Sequence, residues 1–234
     1  MFTPARRRGI EILDDPNVDP AVRERSLNDV ARSNKWLGGL RAATLELDAA
    51  LDGLPAGATL LDVGTGLADI PYRVARERAG REAPVTTFAV DEAPSLLAAA
   101  RARVRHVVCA NALALPFRDR SIDVVCCSQL LHHFTGDDAK RVLREMNRVA
   151  RRAVVVSDLR RSWIAMAGFW LVSFPLGFHS VTRHDGVVSV SRGFTVEELA
   201  ELVMAATGVA PRVRRRLGFR LTARWTPRLA EAST

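Results

Sequence analysis

Between residues 59 and 160 short apolar runs alternate with longer amphipathic ones, and this rhythm sets the expected architecture. The runs at 59–63, 85–90, 104–109, 122–127 and 153–157 are apolar and partly β-branched, with few polar interruptions. Such continuity predicts parallel strands covered on both faces, in contrast to the in–out alternation of a half-solvated sheet. Stretches near 70–79, 94–103 and 137–149 predict the intervening helices. Upstream, Val22, Leu27, Val30, Leu37, Leu40, Leu47 and Leu51 follow helical spacing, weakened at Gly38 and Gly39, so two helices precede the sheet. Residues 1–20 are polar and read as loosely ordered, although Ile10, Ile12 and Leu13 could dock on the body. Downstream, Thr195 and Glu198 form a T-x-x-E capping box that opens a helix to about Ala206. Arg212–Arg216 and residues 219–225, on either side of Leu217-Gly218, predict a terminal hairpin. The expected class is α/β: a mostly parallel seven-stranded sheet with helices on both faces and a C-terminal antiparallel hairpin.

Residues 60–71 read LLDVGTGLADIP, a strand, a glycine turn and a helix start. Gly64 and Gly66 allow a tight turn and close approach of backbone to a ligand. Asp69 is the expected N-cap, with Pro71 in the first turn. A dinucleotide fingerprint would place its third glycine at position 69. The carboxylate found there repels a pyrophosphate and suits the cationic amino group of a methionine moiety. Asp91 closes the next apolar run, about 20 residues past the turn, where an acid can accept both ribose hydroxyls.

These residues resemble the cofactor site of class I S-adenosylmethionine-dependent methyltransferases. The similarity covers about residues 40–160 and extends to the methyltransferase type 11 group, which includes quinone-biosynthesis enzymes and small-molecule O-methyltransferases. It implies a Rossmann-like sheet and S-adenosylmethionine held by Asp62, Gly64, Thr65, Gly66, Asp69 and Asp91. By the same resemblance, Asn111 and Ala112 contact the adenine ring, the Asn111 side-chain oxygen accepting from the exocyclic amine. Aspartate is the more usual residue there. Ser128 falls at the carboxyl end of the fourth strand, the edge where open α/β sheets bind ligands, whereas Asp123 is expected to fix strand geometry.

With 234 residues, 48% of them hydrophobic, the chain can bury one ample core. The division expected is residues 1–53, an extension and helices packing over the site, and residues 54–234, the methyltransferase domain with a lid-like insertion at about 160–193. The net charge of +8 raises nucleic acid or an anionic membrane as partners. Since Lys35 and Lys140 are the only lysines, the arginine excess reads first as a solvated surface. Cys109, Cys126 and Cys127 lack C-x-x-C spacing and sit in predicted strands, which suggests buried thiols in a reducing, cytoplasmic setting and no metal site. Arg6, Arg7 and Arg8 precede no apolar stretch, so no signal peptide is expected.

The residues for chemistry are histidines. A phenol acceptor has a pKa near ~10, and a neutral imidazole near ~6.5 can assist its deprotonation. His132 and His133 follow the fourth strand, His179 lies further on, and His184 sits in the sequence VTRHDG, expected to be an irregular polar segment. Adjacency of His184 and Asp185 does not make a dyad. Residues 163–178 are strongly apolar and aromatic, which predicts a lid over an apolar acceptor; Arg160 and Arg161 before them leave peripheral membrane contact open. The functional expectation is an S-adenosylmethionine-dependent methyltransferase acting on a hydroxyl or carbon of an apolar, aromatic or polyketide-like small molecule. The alternatives are an RNA or other nucleic-acid methyltransferase, disfavoured because CCSQLLHH at 126–133 lacks the Asn/Asp-Pro-Pro-aromatic turn of amino-group base methylases, and a catalytically silent cofactor-binding module.

Overall fold

The computed structural model describes residues 3–228 apart from Arg8 and Pro16. Met1, Arg8 and Pro16, included in the reading of the N-terminal stretch, lie outside the described residues. Two helices, α1 (Pro20–Trp36) and α2 (Gly39–Leu51), come first. The central alternation follows as β1 (Ala58–Val63), α3 (Asp69–Ala79), β2 (Val85–Asp91), α4 (Pro94–Ala100), β3 (His106–Cys109), β4 (Ile122–Ser128), α5 (Gly136–Val149) and β5 (Ala150–Leu159). The chain continues through α6 (Trp163–Ser173), α7 (Ser180–Arg192) and α8 (Val196–Thr207) to the hairpin β6 (Arg212–Arg216) and β7 (Arg220–Trp225).

The strand order is β3-β2-β1-β4-β5-β7-β6, parallel from β3 to β5, with β7 antiparallel to both β5 and β6. Two-sided burial explains the uninterrupted apolar runs. Leu61, Val63, Val125, Cys127, Val154 and Val156 face one way, onto Val142, Leu143 and Met146 of α5 and Leu199 and Val203 of α8. Leu60, Val124, Cys126 and Val155 face the other way, onto Leu47 and Leu51 of α2 and Val74 of α3. The capping box forms as read: Thr195 Oγ1 accepts from the Glu198 amide at 3.2 Å, and Glu198 Oε2 accepts from the Thr195 amide at 2.9 Å. Asp123 indeed fixes strand geometry, accepting from the amide and hydroxyl of Thr59 at 2.9 and 2.8 Å.

Three local expectations are corrected. The segment around His184 is helical, lying inside α7. Cys109 is exposed, because β3 is an edge strand; only Cys126 and Cys127 are buried. The N-terminal stretch docks through its backbone and not through Ile10, which is 79% exposed. The Ile12 and Leu13 amides donate to the two carboxylate oxygens of Asp185 on α7, at 2.8 and 2.9 Å. Leu13 itself lines the cavity described below.

Reversal of strand order between β1 and β4 opens a crevice at the strands' carboxyl ends. Most of the candidate residues gather at that edge, His184 being an exception.

Candidate active site

The glycine loop leaves the carboxyl end of β1. Gly64 and Gly66 have φ of 68° and 53°, in the left-handed region, and an added Cβ at Gly66 would meet nothing within 4 Å. The Gly64 and Thr65 amides both donate to the Val90 carbonyl at 2.9 Å, which locks the turn against β2. Asp91, ending β2, accepts from the Gly66 amide at 2.9 Å on Oδ2 and from the Ala93 amide at 3.0 Å on Oδ1. Its carboxylate is thus held at the mouth of the turn.

Asp69 is not the N-cap. Ala68, in the left-handed region at φ 57°, takes that position, and Asp69 is the first helical residue. Its carboxylate is paired with Arg103, whose guanidinium also donates to the Leu67 carbonyl at 2.8 Å. Asp62 differs. It is buried, accepts from Thr65 Oγ1 at 2.8 Å and from Cys126 Sγ at 3.3 Å, and has no cationic partner among the described residues. Burial pushes it up to about 6; Asp91 adds to the rise, against the hydrogen bonds from Thr65 and Cys126. A buried carboxylate lacking its cation, beside an open glycine turn, fits the ammonium group of S-adenosylmethionine.

Past the end of β3, Ala110 and Ala112 line the cavity. Asn111 folds into a turn of its own, Oδ1 accepting from the Leu113 amide at 2.7 Å and Nδ2 facing Glu92 Oε1 at 3.4 Å. Ser128 lines the cavity with a buried hydroxyl that has no hydrogen-bond partner.

After β4 a single 3-10 turn, Leu131–His133, carries both histidines. His132 is 3% exposed, and its Nδ1 lies 2.7 Å from Asp158 Oδ1. Asp158 also accepts from the His132 amide at 3.2 Å and from the Leu159 amide at 2.7 Å. Burial alone would raise the Asp158 pKa, but the adjacent imidazole and these hydrogen bonds outweigh it and hold the carboxyl below its ordinary range. The other ring nitrogen, Nε2, lies 4.0 Å from Glu11 Oε1, and both residues line the cavity. His133 lies against His132 with ring centroids 4.3 Å apart and planes tilted by 33°, and is exposed. Glu11, His132 and His133 bring potential metal-ligand atoms within 4.8 Å of one another, a cluster the sequence did not reveal. Arg192 lies within it, 3.0 Å from Glu11 Oε1 and 3.4 Å from His133 Nδ1.

His184 stands apart: its ring is half exposed, hydrogen-bonds Asp185 Oδ1 at 2.8 Å and does not line the cavity. That dyad is real as a contact, but Asp185 spends its oxygens on the N-terminal backbone. His179 is the N-cap of α7. Sequence reasoning missed Asp158, although an acid at the end of an otherwise apolar strand was a usable signal. Glu11 gave none, because only the path of the N-terminal segment brings it to His132.

The cavity joining these groups has a volume of about 1520 Å³. That exceeds the ~300–1,000 Å³ of a single small-ligand pocket, leaving room for a second molecule beside a nucleoside. Beyond the sheet edge its lining combines apolar side chains, Leu27 and Val30 from α1, Leu37, and Ile164, Phe169 and Val172 from α6, with polar and charged ones from α1 such as Arg23, Asn34 and Lys35. The opposite face of α6 turns outward. Trp163, Trp170, Leu171 and Phe174 are 47%, 50%, 60% and 48% exposed, and their i, i+7, i+8, i+11 spacing makes one stripe. No helix among the described residues is long and apolar enough to cross a membrane.

Residues 61–156 match the model of a family described as "Methyltransferase domain". An uncharacterized methyltransferase-like protein of Schizosaccharomyces pombe is 30% identical over 94 residues, 39% of this chain and 34% of that protein. The chain thus spans about a third of the length of the first curated relatives it matches. A demethylmenaquinone methyltransferase of Roseiflexus sp. is 29% identical over 170 residues, 68% of this chain and 70% of that protein. Among solved structures, the magnesium protoporphyrin IX methyltransferase of Synechocystis PCC 6803 with bound S-adenosylmethionine superposes with a TM-score of 0.56 at 11% identity, covering 93% of this chain and 88% of that one.

Proposed function

We propose that this chain, whose residues 61–156 match a methyltransferase domain, uses S-adenosylmethionine to methylate a hydroxyl of an apolar, aromatic or polyketide-like small molecule. The observation that carries this reading is the buried His132–Asp158 pair, which shares one cavity with the glycine loop. When bound, S-adenosylmethionine supplies an already activated methyl group, so the protein's part is alignment and proton management. Asp91 would take the ribose hydroxyls, Ala112 the adenine face with Asn111 at its edge, and Ser128 a polar group of the methionine moiety. Since Arg103 already compensates Asp69, the ammonium falls to Asp62.

At the acceptor, Asp158 holds the proton of His132 on Nδ1 and leaves Nε2 as the base that accepts the hydroxyl proton. The two carboxylates flanking His132, Asp158 and Glu11, stabilise the imidazolium that results. His133 lies beside this base, and α6 serves as the lid, its inner face on the acceptor and its outer stripe available to an apolar phase such as a bilayer surface.

The direct test supplies methyl-labelled S-adenosylmethionine with a panel of apolar phenols and, separately, with total RNA. Label is expected in phenols and not in RNA. Label in RNA alone would sink the small-molecule reading, and failure to bind adenosylhomocysteine would leave only a silent module. A pH dependence follows from Asp62. Its folded pKa, about 6, is raised, so the site is protonated below that value. A bound ammonium favours the ionised form, and binding must then expel a proton. Affinity for S-adenosylmethionine should therefore rise between about pH 5 and about pH 7 and level off above, by up to about tenfold per unit. Calorimetry should show that dependence flattened in Asp62→Asn.

A further inference from the structure

Three arginines of the C-terminal hairpin face one buried acid, and a fourth stands apart. Arg216 donates to the buried carboxylate of Glu46 on α2, with Arg214 and Arg224 at 4.0 and 3.9 Å from it. Those cations have their counter-charge. Arg220 does not. It is 4% exposed and lines the cavity, yet no carboxylate lies within ion-pair distance of it among the described residues. Its Nη1 donates to Gln129 Oε1 at 2.9 Å, while its Nε is buried with no hydrogen-bond partner. Desolvation lowers this guanidinium to about 10, against the pull of the more distant Asp158. A lone buried cation is costly unless something that binds there completes it.

A second feature points to the same spot. The N-terminus of α2 has no side-chain cap, since Gly38 occupies the cap position. Its first-turn amides are therefore unsatisfied by side chains and carry the positive end of the helix dipole. Arg220 packs on that turn beside the side-chain oxygen of Asn34: a Cβ added to Gly39 would lie 3.0 Å from Asn34 Oδ1 and 3.4 Å from both Nε and Nη2 of Arg220. Leu37 and Leu40, flanking the turn, line the same cavity. Two sources of positive potential meet at one place, and each is relieved by an anion between them. The position is on the acceptor side. Arg220 pairs with Leu159 across β5 and β7, and β7 lies three strands from β1, roughly 14 Å at ~4.8 Å per strand.

We propose that Arg220 and the N-terminus of α2 form an oxyanion subsite for an acidic group of the acceptor, so that the molecule methylated is an apolar aromatic acid or acidic phenol and not a neutral compound. The proposal rests on the methyl-acceptor reading of the cavity. It gives a role to a buried guanidinium that lines the cavity without a carboxylate partner among the described residues. The bulk of the acceptor is held by apolar contact, and its charge fixes which end enters.

The test uses calorimetry on the full chain saturated with adenosylhomocysteine, titrated with 1-naphthoate and with its neutral analogue 1-naphthamide. The wild-type protein should bind naphthoate at least about tenfold more tightly, a difference of about 1.4 kcal/mol. Arg220→Gln should erase that preference and leave adenosylhomocysteine affinity unchanged, and Arg220→Lys should keep part of it. Thermal melting adds a readout that a structural ion pair would move oppositely: removing an uncompensated buried charge should not lower Tm in Arg220→Gln, whereas naphthoate should raise the wild-type Tm. Equal affinity for the two probes, or no binding of naphthoate to the wild type, overturns the proposal. So does a marked loss of adenosylhomocysteine affinity in Arg220→Gln, which would assign the guanidinium to the donor's carboxylate. Failure of adenosylhomocysteine to bind the wild type would instead strike the donor reading itself.

Discussion

Asp158→Asn is expected to lower the methyl-transfer kcat by about 10²–10⁴-fold while leaving adenosylhomocysteine affinity essentially unchanged. The carboxylate of Asp158 accepts from His132 Nδ1 at 2.7 Å and from two backbone amides, so it acts only as an acceptor. An asparagine amide can instead present a donor to Nδ1, which moves the ring proton to Nε2 and removes the base from the cavity. Charge is lost as well, and the imidazolium is left with Glu11 alone, 4.0 Å away. Asp158 is a positioning residue in this account, which a pH profile tests. If the asparagine variant lost activity at neutral pH but recovered it fully at high pH, where an acceptor phenol ionises unaided, the base assignment would stand. An equal loss at every pH, together with weakened adenosylhomocysteine binding, would reduce Asp158 to a structural role.

Asp91→Ala should weaken adenosylhomocysteine binding by at least about tenfold, since each charge-assisted hydrogen bond is worth roughly 1.5–3 kcal/mol. Part of that loss is indirect. Asp91 holds the Gly66 amide at 2.9 Å and the Ala93 amide at 3.0 Å, so its removal also loosens the turn against which the nucleoside lies. Isothermal calorimetry reads the affinity, and melting in the absence of ligand separates the two contributions. Unchanged affinity in a stably folded variant would show that the ribose is held elsewhere.

The proposed cofactor side of this site is legible in the sequence because it is local. Asp62, Gly64, Thr65, Gly66 and Asp69 lie within one strand–turn–helix, and Asp91 ends the neighbouring strand. Sequence order therefore nearly fixes their geometry. Even here tertiary contacts altered assignments. Asp69 was legible as a carboxylate at a helix start, but its pairing with Arg103 depends on where α4 and its following turn lie. Asn111 could be placed near the adenine by resemblance, yet its oxygen is engaged by the Leu113 amide, a turn interaction that residue identity alone did not announce. The acceptor side was barely legible. Of the four histidines singled out, nothing in the sequence separates His132 from His133, its neighbour, or from His184.

What distinguishes those three is burial and partners. His132 points inward to Asp158 at the end of β5, His133 lies exposed beside it, and His184, half exposed and bonded to Asp185, does not line the cavity. The pattern of apolar and polar positions by itself determined the sheet, its two-sided core and the donor loop. Periodicity and turn chemistry act over a few residues, and a buried parallel strand leaves an unambiguous apolar run. Only the tertiary structure decided which charges stand alone. Glu11, Asp158 and Arg220 come from the two ends and the middle of the chain. Whether each is compensated depends on distances that local spacing does not encode. The glycine loop could be read in one dimension; the acceptor pocket exists only in three.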